Sequence, residues 1–209
     1  MDVRRVCSVA DPAYDAFVRI YLDSQPHSEL KTPAQLARMI EKPEYYFLAA
    51  LRNTTIVAYS IAICLVDCDA ALLEYMAVAR NLRGTGIGQS LFRATRDFGA
   101  IAGRILLIEV DSDKWPSDDH IDRVRRKNFY RRLGCKEIEG LTYIMPPLSS
   151  ATPPLMDLLV SHGQLPLAFS KSRVRTWLES CYQQVYQVAP NDARIDSMIE
   201  ALPDDLRLI

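Results

Sequence analysis

The chain has 209 residues, 49% of them hydrophobic and 24% charged, with a net charge of −1. That composition fits one globular domain, or one domain with an appendage. The near-zero charge excludes a general attraction to nucleic acid or to an anionic membrane. No apolar run approaches the ~20 residues that span a bilayer, and the N-terminus MDVRRVCSVADP lacks the apolar stretch of a signal peptide. The cysteines (Cys7, Cys64, Cys68, Cys135, Cys181) are odd in number and scattered in apolar segments. They read as reduced thiols of a cytoplasmic protein. Cys64 and Cys68 lack a second Cys or His pair, and His27, His120 and His162 stand far apart, so no metal is expected.

Val3–Val9 reads as a short strand. Asp11-Pro12 opens a helix over Ala13–Leu22, and Thr32-Pro33 opens a second with Leu36, Met39 and Ile40 as its apolar stripe. Tyr45–Leu51 and Ile56–Val66 form a hairpin across Arg52-Asn53-Thr54, and Ala71–Val78 is the next strand. A helix over Gly86–Ala102 precedes the strand Arg104–Val110. Ile121–Leu133 is helical and ends at Gly134. Glu137–Met145 and Leu155–Val160 are the last strands, separated by the loop Pro146–Pro154. The order β-α-α-β-β-β-α-β-α-β-β predicts a mixed, mainly antiparallel α/β sheet with helices on both faces. Beyond it, Val174–Val188 and Asp192–Leu202 read as helices that pack on the core, form a lid or substrate wall, or make a homodimer contact. The expected division is a domain over 1–165 and a helical extension over 166–209.

The most informative stretch is Leu72–Phe92, LLEYMAVARNLRGTGIGQSLF. An apolar strand runs into Arg83-Gly84-Thr85-Gly86-Ile87-Gly88, and helical periodicity follows through Ile87, Leu91 and Phe92. A helix N-terminus carries unpaired N–H groups and a partial positive charge, and glycines let a phosphate approach them. No Lys follows the glycines, which excludes a Walker-type loop. The sixth position from Gly84 is Gln89 and from Gly86 is Leu91, which excludes G-x-G-x-x-G.

What remains is R-x-x-G-x-G (Arg83, Gly86, Gly88) with Val78 five residues before the Arg. This spacing resembles the acyl-CoA signature of the GNAT superfamily of N-acyltransferases, and the resemblance spans roughly residues 3–145. It implies acetyl-CoA, or another acyl-CoA, as the acyl-donor cosubstrate. Arg83, Gly84, Thr85, Gly86, Ile87, Gly88 and Gln89 would hold the pyrophosphate. Met76 and Ala77 would pair with the pantetheine amides where two strands splay apart, and the Val78 N–H would bind the thioester carbonyl and its oxyanion.

Phe129-Tyr130-Arg131-Arg132-Leu133-Gly134-Cys135 resembles the F-Y-x-x-x-G-[FY] element of the same superfamily, with Cys135 in place of the aromatic. The resemblance implies that Tyr130 lies near the CoA sulfur, where it protonates the departing thiolate or hydrogen-bonds it. Where family members often carry Asn and Ala, seven and four residues before this Tyr, the chain has Arg123 and Arg126. Arg126 or Arg123 is suited to a CoA phosphate. The run Arg123, Arg125, Arg126, Lys127, Arg131, Arg132 spreads over more than two turns, so it reads as a solvated face or CoA contact rather than a nucleic-acid patch.

Amine acylation also needs a base. Glu74 lies on the strand before Val78, where alternation predicts one face for Glu74, Met76 and Val78. Glu109 sits in the apolar strand ILLIEV, where a charge needs a partner or a task. Either carboxylate can take the amine proton, and Asp111 and Asp113 extend the acidic stretch toward a cationic acceptor. With no nucleophile elbow or Cys/His pair, attack by a primary amine of a small molecule or peptide is direct, in a ternary complex. Three other readings stay open: a longer-chain acyltransferase fed by acyl-CoA or acyl carrier protein, a CoA-binding regulatory module without turnover, and a nucleic-acid-associated protein using the Arg-rich helix. The acceptor pocket falls to the least patterned parts: Tyr14–Lys42, the loop after Val110, and Tyr143 onwards.

Overall fold

The computed structural model describes residues 1–24, 30–147, 155–189 and 191–209. His27 and residues 148–154 of the expected loop lie outside them. The chain divides into two units, Met1–Cys64 with Ala71–Gly103, and Leu65–Ala70 with Arg104–Ile209. Every strand pairing described below is antiparallel, and the fold class is the expected α/β.

The first unit holds β1 (Asp2–Val6), α1 (Tyr14–Ser24), α2 (Pro33–Ile40), β2 (Tyr45–Arg52), β3 (Thr55–Cys64), β4 (Ala70–Val78) and α3 (Ile87–Arg96). β1 pairs with β2, β2 with β3 and β3 with β4. Asn53, with φ of 59°, makes the β2–β3 turn; Asn tolerates that left-handed backbone. α2 begins in a capping box: Gln35 N donates to Thr32 Oγ1 at 3.2 Å, and Thr32 N to Gln35 Oε1 at 2.7 Å. Helices cover both sheet faces. On one, Phe17 and Tyr21 of α1 meet Tyr59 with centroids 4.9 and 5.8 Å away. On the other, Ser60 and Thr95 of α3 share a buried hydroxyl hydrogen bond of 2.7 Å. α3 is shorter than its expected span to Ala102. It stops at Arg96, and Gly99–Ile101 form a 3-10 turn. Gly99 has φ of 50°, and a Cβ there would lie 3.1 Å from the Tyr46 ring, so the α-helix cannot continue.

The second unit holds β5 (Ile105–Asp111), α4 (His120–Arg132), β6 (Lys136–Glu137), β7 (Tyr143–Ile144), β8 (Leu155–Ser161), β9 (Ala168–Ser170), α5 (Lys171–Gln184), α6 (Ala193–Ile199) and β10 (Asp205–Arg207). β8 pairs with β5, β6 and β7. The expected strand Glu137–Met145 is instead two short strands, because Gly140 turns the chain with φ of 78°. The segment after 166 is mainly helical but also carries the pair β9–β10. Its α5 is anchored by the buried Trp177, whose Nε1 donates to Asp69 at 2.9 Å. Arg104 donates to the carbonyls of Leu65, Cys68 and Ala70, fixing that linker within this unit.

Candidate active site

In the first unit, the strand, turn and helix of Leu72–Phe92 form as read. β4 is buried from Ala70 to Leu73 and half-buried from Met76 to Val78. After a 3-10 turn at Arg80–Leu82, Gly84 and Gly86 take φ of 80° and 84°, and α3 starts at Ile87. A Cβ on either glycine would meet no atom of the described residues within 4 Å. The chain therefore needs glycine here for backbone conformation, and the space beside it stays open to a ligand. Gly86 is the N-cap residue and offers no side-chain cap. The first helical bond runs from Ser90 N to Gly86 O, so the N–H groups of Ile87, Gly88 and Gln89 precede the helical ladder. Arg83 Nε reaches the Val78 carbonyl at 3.3 Å, and Thr85 Oγ1 the Leu82 carbonyl at 2.6 Å, which fix the loop's shape. Met76, Val78, Leu82 and Ile87 pack around Ala50, Val57, Ala58 and Leu91, holding α3 to the strand.

Glu74 departs from the expected face. Ser60 pairs with Met76 and Ile61 with Tyr75, but Ala62 pairs with Leu73, so Glu74 is the extra residue of a β-bulge. The bulge resets the alternation. Met76 and Val78 face α3, whereas Glu74 shares the opposite face with Tyr75, whose ring meets Tyr21 of α1 at 5.1 Å. There Glu74 ion-pairs with Lys31, and its side chain is only 6% exposed. Its Oε2 is buried and, among the described residues, has no hydrogen-bond partner. Burial, aided by the Glu74 charge, pushes the neighbouring Tyr45 phenol well above its ordinary range. Lys31 and Tyr45 carry no sequence signal for this role, since the ion pair spans chain-distant residues and depends on the bulge.

The second unit carries Tyr130, Arg126 and Glu109. Tyr130 lies on α4, buried, with its ring 5.1 Å from that of Phe129. Burial raises its phenol above the ordinary value, against the lowering effect of the Arg126 charge, so it stays protonated at neutral pH. Gly134, with φ of 84°, ends the helix. One turn before Tyr130, Lys127 is fully buried among three carboxylates: Asp113 at 2.7 Å, Glu137 at 2.9 Å and Asp157 at 2.5 Å. Lys114 also binds Glu137 and Asp157, at 2.6 and 2.9 Å. Other members of the basic run pair locally, Arg126 with Asp111 at 2.8 Å and Arg123 with Asp119 at 2.8 Å.

Glu109 lies on the β5–β8 face opposite to α4. Its β8 neighbour is Leu158, whereas Asp157, which binds Lys127 of α4, pairs with Val110. The structure thus separates Glu109 and Tyr130 across this sheet. The two Glu109 oxygens accept hydrogen bonds from the Tyr143 and Tyr186 hydroxyls. Both tyrosines fall in the segment from Tyr143 onwards that was expected to line the acceptor pocket, but period-2 and helical patterning do not say which carboxylate either one reaches. Among the described residues, no group of His, Cys, Asp or Glu is arranged to hold a metal ion, and no helix is long and apolar enough to cross a membrane.

Residues 43–137 match the Acetyltransferase (GNAT) domain family. Among curated proteins, none is similar in sequence to this chain. A GNAT-family protein from Bacteroides thetaiotaomicron superimposes with a TM-score of 0.74 at 19% identity, over 90% of this chain and 100% of that one. An aminoglycoside 6'-N-acetyltransferase from Enterococcus faecium gives 0.58 at 17% identity, over 77% and 96%. The ribosomal-protein-S18-alanine N-acetyltransferase of Escherichia coli gives 0.53 at 15%, over 79% and 98%. At these identities the likeness is one of fold, and it extends over nearly all of each relative. The chain has the GNAT fold, and its residues 43–137 match the GNAT acetyltransferase domain family.

Proposed function

We propose that this protein transfers an acetyl group from acetyl-CoA to a primary amine of a small molecule or peptide, by direct attack in a ternary complex. The observation that carries the reading is that one strand supplies both halves of the chemistry. β4 leads into an uncapped, glycine-lined helix N-terminus, and its bulge presents a buried carboxylate oxygen that no described residue uses. The N–H groups of Gly84–Gln89 and the Arg83 guanidinium suit the CoA pyrophosphate. Met76 and Ala77 suit the pantetheine arm, with Arg126 as a further phosphate contact.

In this reading Glu74 Oε2 takes a proton from the acceptor ammonium. The neutral amine attacks the thioester carbonyl, and the Val78 N–H receives the oxyanion. The C–N bond forms and the C–S bond breaks, and the family resemblance assigns the proton for the departing thiolate to Tyr130, a phenol that burial keeps protonated. Glu74 is preferred to Glu109 as the base because both Glu109 oxygens already accept from phenols. A thiol-release assay with acetyl-CoA and a panel of primary amines tests the reading. Release that depends on one class of amine and is lost in Glu74→Gln supports it. No release with any amine, in a chain that acetyl-CoA stabilises in thermal shift, overturns it in favour of a CoA-binding module without turnover.

A further inference from the structure

Glu109 is held with more care than a charge left at a strand end. It stands in an otherwise apolar strand, and two tyrosines from chain-distant segments, Tyr143 of β7 and Tyr186 just after α5, each donate to one of its oxygens. Tyr143 is fully buried, while Glu109 and Tyr186 are half-buried and so reach solvent. The carboxylate is therefore held between a fully buried phenol and one from a half-buried tyrosine. Burial, with the Glu109 charge adding to it, pushes the Tyr143 phenol far up, so it remains a donor.

The surroundings already favour a cation. The ring of Tyr182 meets that of Tyr186 at 6.3 Å, and the Arg194 guanidinium stacks on Tyr182 at 5.5 Å. Tyr182 is itself fixed by its hydroxyl, which donates to the Ile144 carbonyl. A fixed carboxylate beside aromatic rings is the chemistry that recognises an organic ammonium. We propose that Glu109, oriented by Tyr143 and Tyr186, is a subsite of this unit for an organic ammonium, such as a second cationic group of the amine acceptor. The ammonium donates to Glu109, and Tyr143 and Tyr186 act as positioning residues. The assignment rests on the N-acyl transfer reading for its purpose, but the subsite is testable without turnover.

The probe is n-butylammonium chloride, with n-butanol and potassium chloride as controls, titrated into the full chain carrying ring-labelled tyrosine. Tyr143→Phe and Tyr186→Phe assign the signals. Butylammonium is expected to move the Tyr143 and Tyr186 resonances saturably, and n-butanol is not; Glu109→Gln, which keeps the shape and removes the charge, should abolish the response. Equal shifts with n-butanol, shifts that survive in Glu109→Gln, or no saturable shift overturn the proposal. With any acceptor found by thiol release, Tyr186→Phe should raise its KM about tenfold and leave kcat within about twofold. A fall in kcat with KM unchanged overturns it. Tyrosine shifts that persist while no amine supports thiol release would sink the transfer reading and leave the subsite standing.

Discussion

Lys127→Met removes an ammonium that three carboxylates surround within 2.9 Å, at a position with no solvent exposure. Asp157 and Glu137 are 1% and 3% exposed, so water cannot take over from the lost cation. Breaking a buried ion pair on one side costs about 3–5 kcal/mol. Lys114 still binds both carboxylates and Arg131 stays 3.6 Å from Glu137, so the lower end applies, about 3 kcal/mol. For a chain of this size, each kcal/mol moves Tm by roughly 2–4 °C, so the variant should melt about 6–12 °C lower at pH 7. The pH dependence gives a second reading. Desolvation raises the Asp157 pKa, but hydrogen bonds from Lys127 and Lys114 outweigh it and hold the carboxyl below its ordinary value. A depressed carboxylate contributes stability that is present above the unfolded-state value, about 3.9, and lost as pH falls through the folded value. The gap between wild type and variant should therefore hold from pH 7 to about pH 4 and close below it. Circular dichroism melts across that range measure it. A Tm change under 2 °C at neutral pH (roughly half a kcal/mol), or a gap that does not close in acid, would refute the argument.

Gly86→Glu should abolish stabilisation by acetyl-CoA in a thermal-shift titration, by placing bulk and negative charge in the open cradle, while wild type rises with ligand as linkage requires. Gly86→Ala should cost only about 1–2 kcal/mol, because its Cβ meets no atom of the described residues within 4 Å and only the left-handed backbone is strained; calorimetry reads it. Tyr130→Phe should lower kcat by about 10²-fold with acetyl-CoA affinity unchanged, and unchanged turnover would reduce Tyr130 to packing. Because burial raises this phenol, wild-type activity should show no basic limb from Tyr130 below its ordinary value near 10. Thr95→Val leaves the buried Ser60 hydroxyl without its 2.7 Å partner and should destabilise by about 1–3 kcal/mol in urea titration.

Much of the fold was legible because its elements carry local signals. Thr32-Pro33-x-Gln35 announces α2 by its cap, the glycines after β4 announce the start of α3, and Gly134 marks the end of α4. The misread spans also have local causes, visible only in three dimensions. Gly99 lies against Tyr46, more than fifty residues earlier in the chain, and so ends a helix whose apolar periodicity continues. Gly140 splits a strand whose residues would otherwise pair continuously with β8. A glycine in a pattern signals permission to turn; the neighbour it meets decides whether the turn is taken.

The glycine-lined start of α3 was readable for the same reason the other helix starts were: backbone N–H groups, glycines and one arginine lie within a few residues of each other. The surroundings of the two carboxylates are built from coincidences of distance. One inserted residue in β4 moves Glu74 from the α3 face to the α1 face, where Lys31 binds it, and no period-2 reading can anticipate that register shift. Glu109 looked equivalent to Glu74 in sequence, a lone carboxylate in an apolar strand. In the structure the two differ in the property that matters for proton transfer. Glu74 keeps a buried oxygen that no described residue uses, while both oxygens of Glu109 are taken by tyrosines some 34 and 77 residues away. A base must offer a lone pair to the proton it removes, so what separates the two carboxylates is the set of donors that the fold brings to each, which no local pattern records.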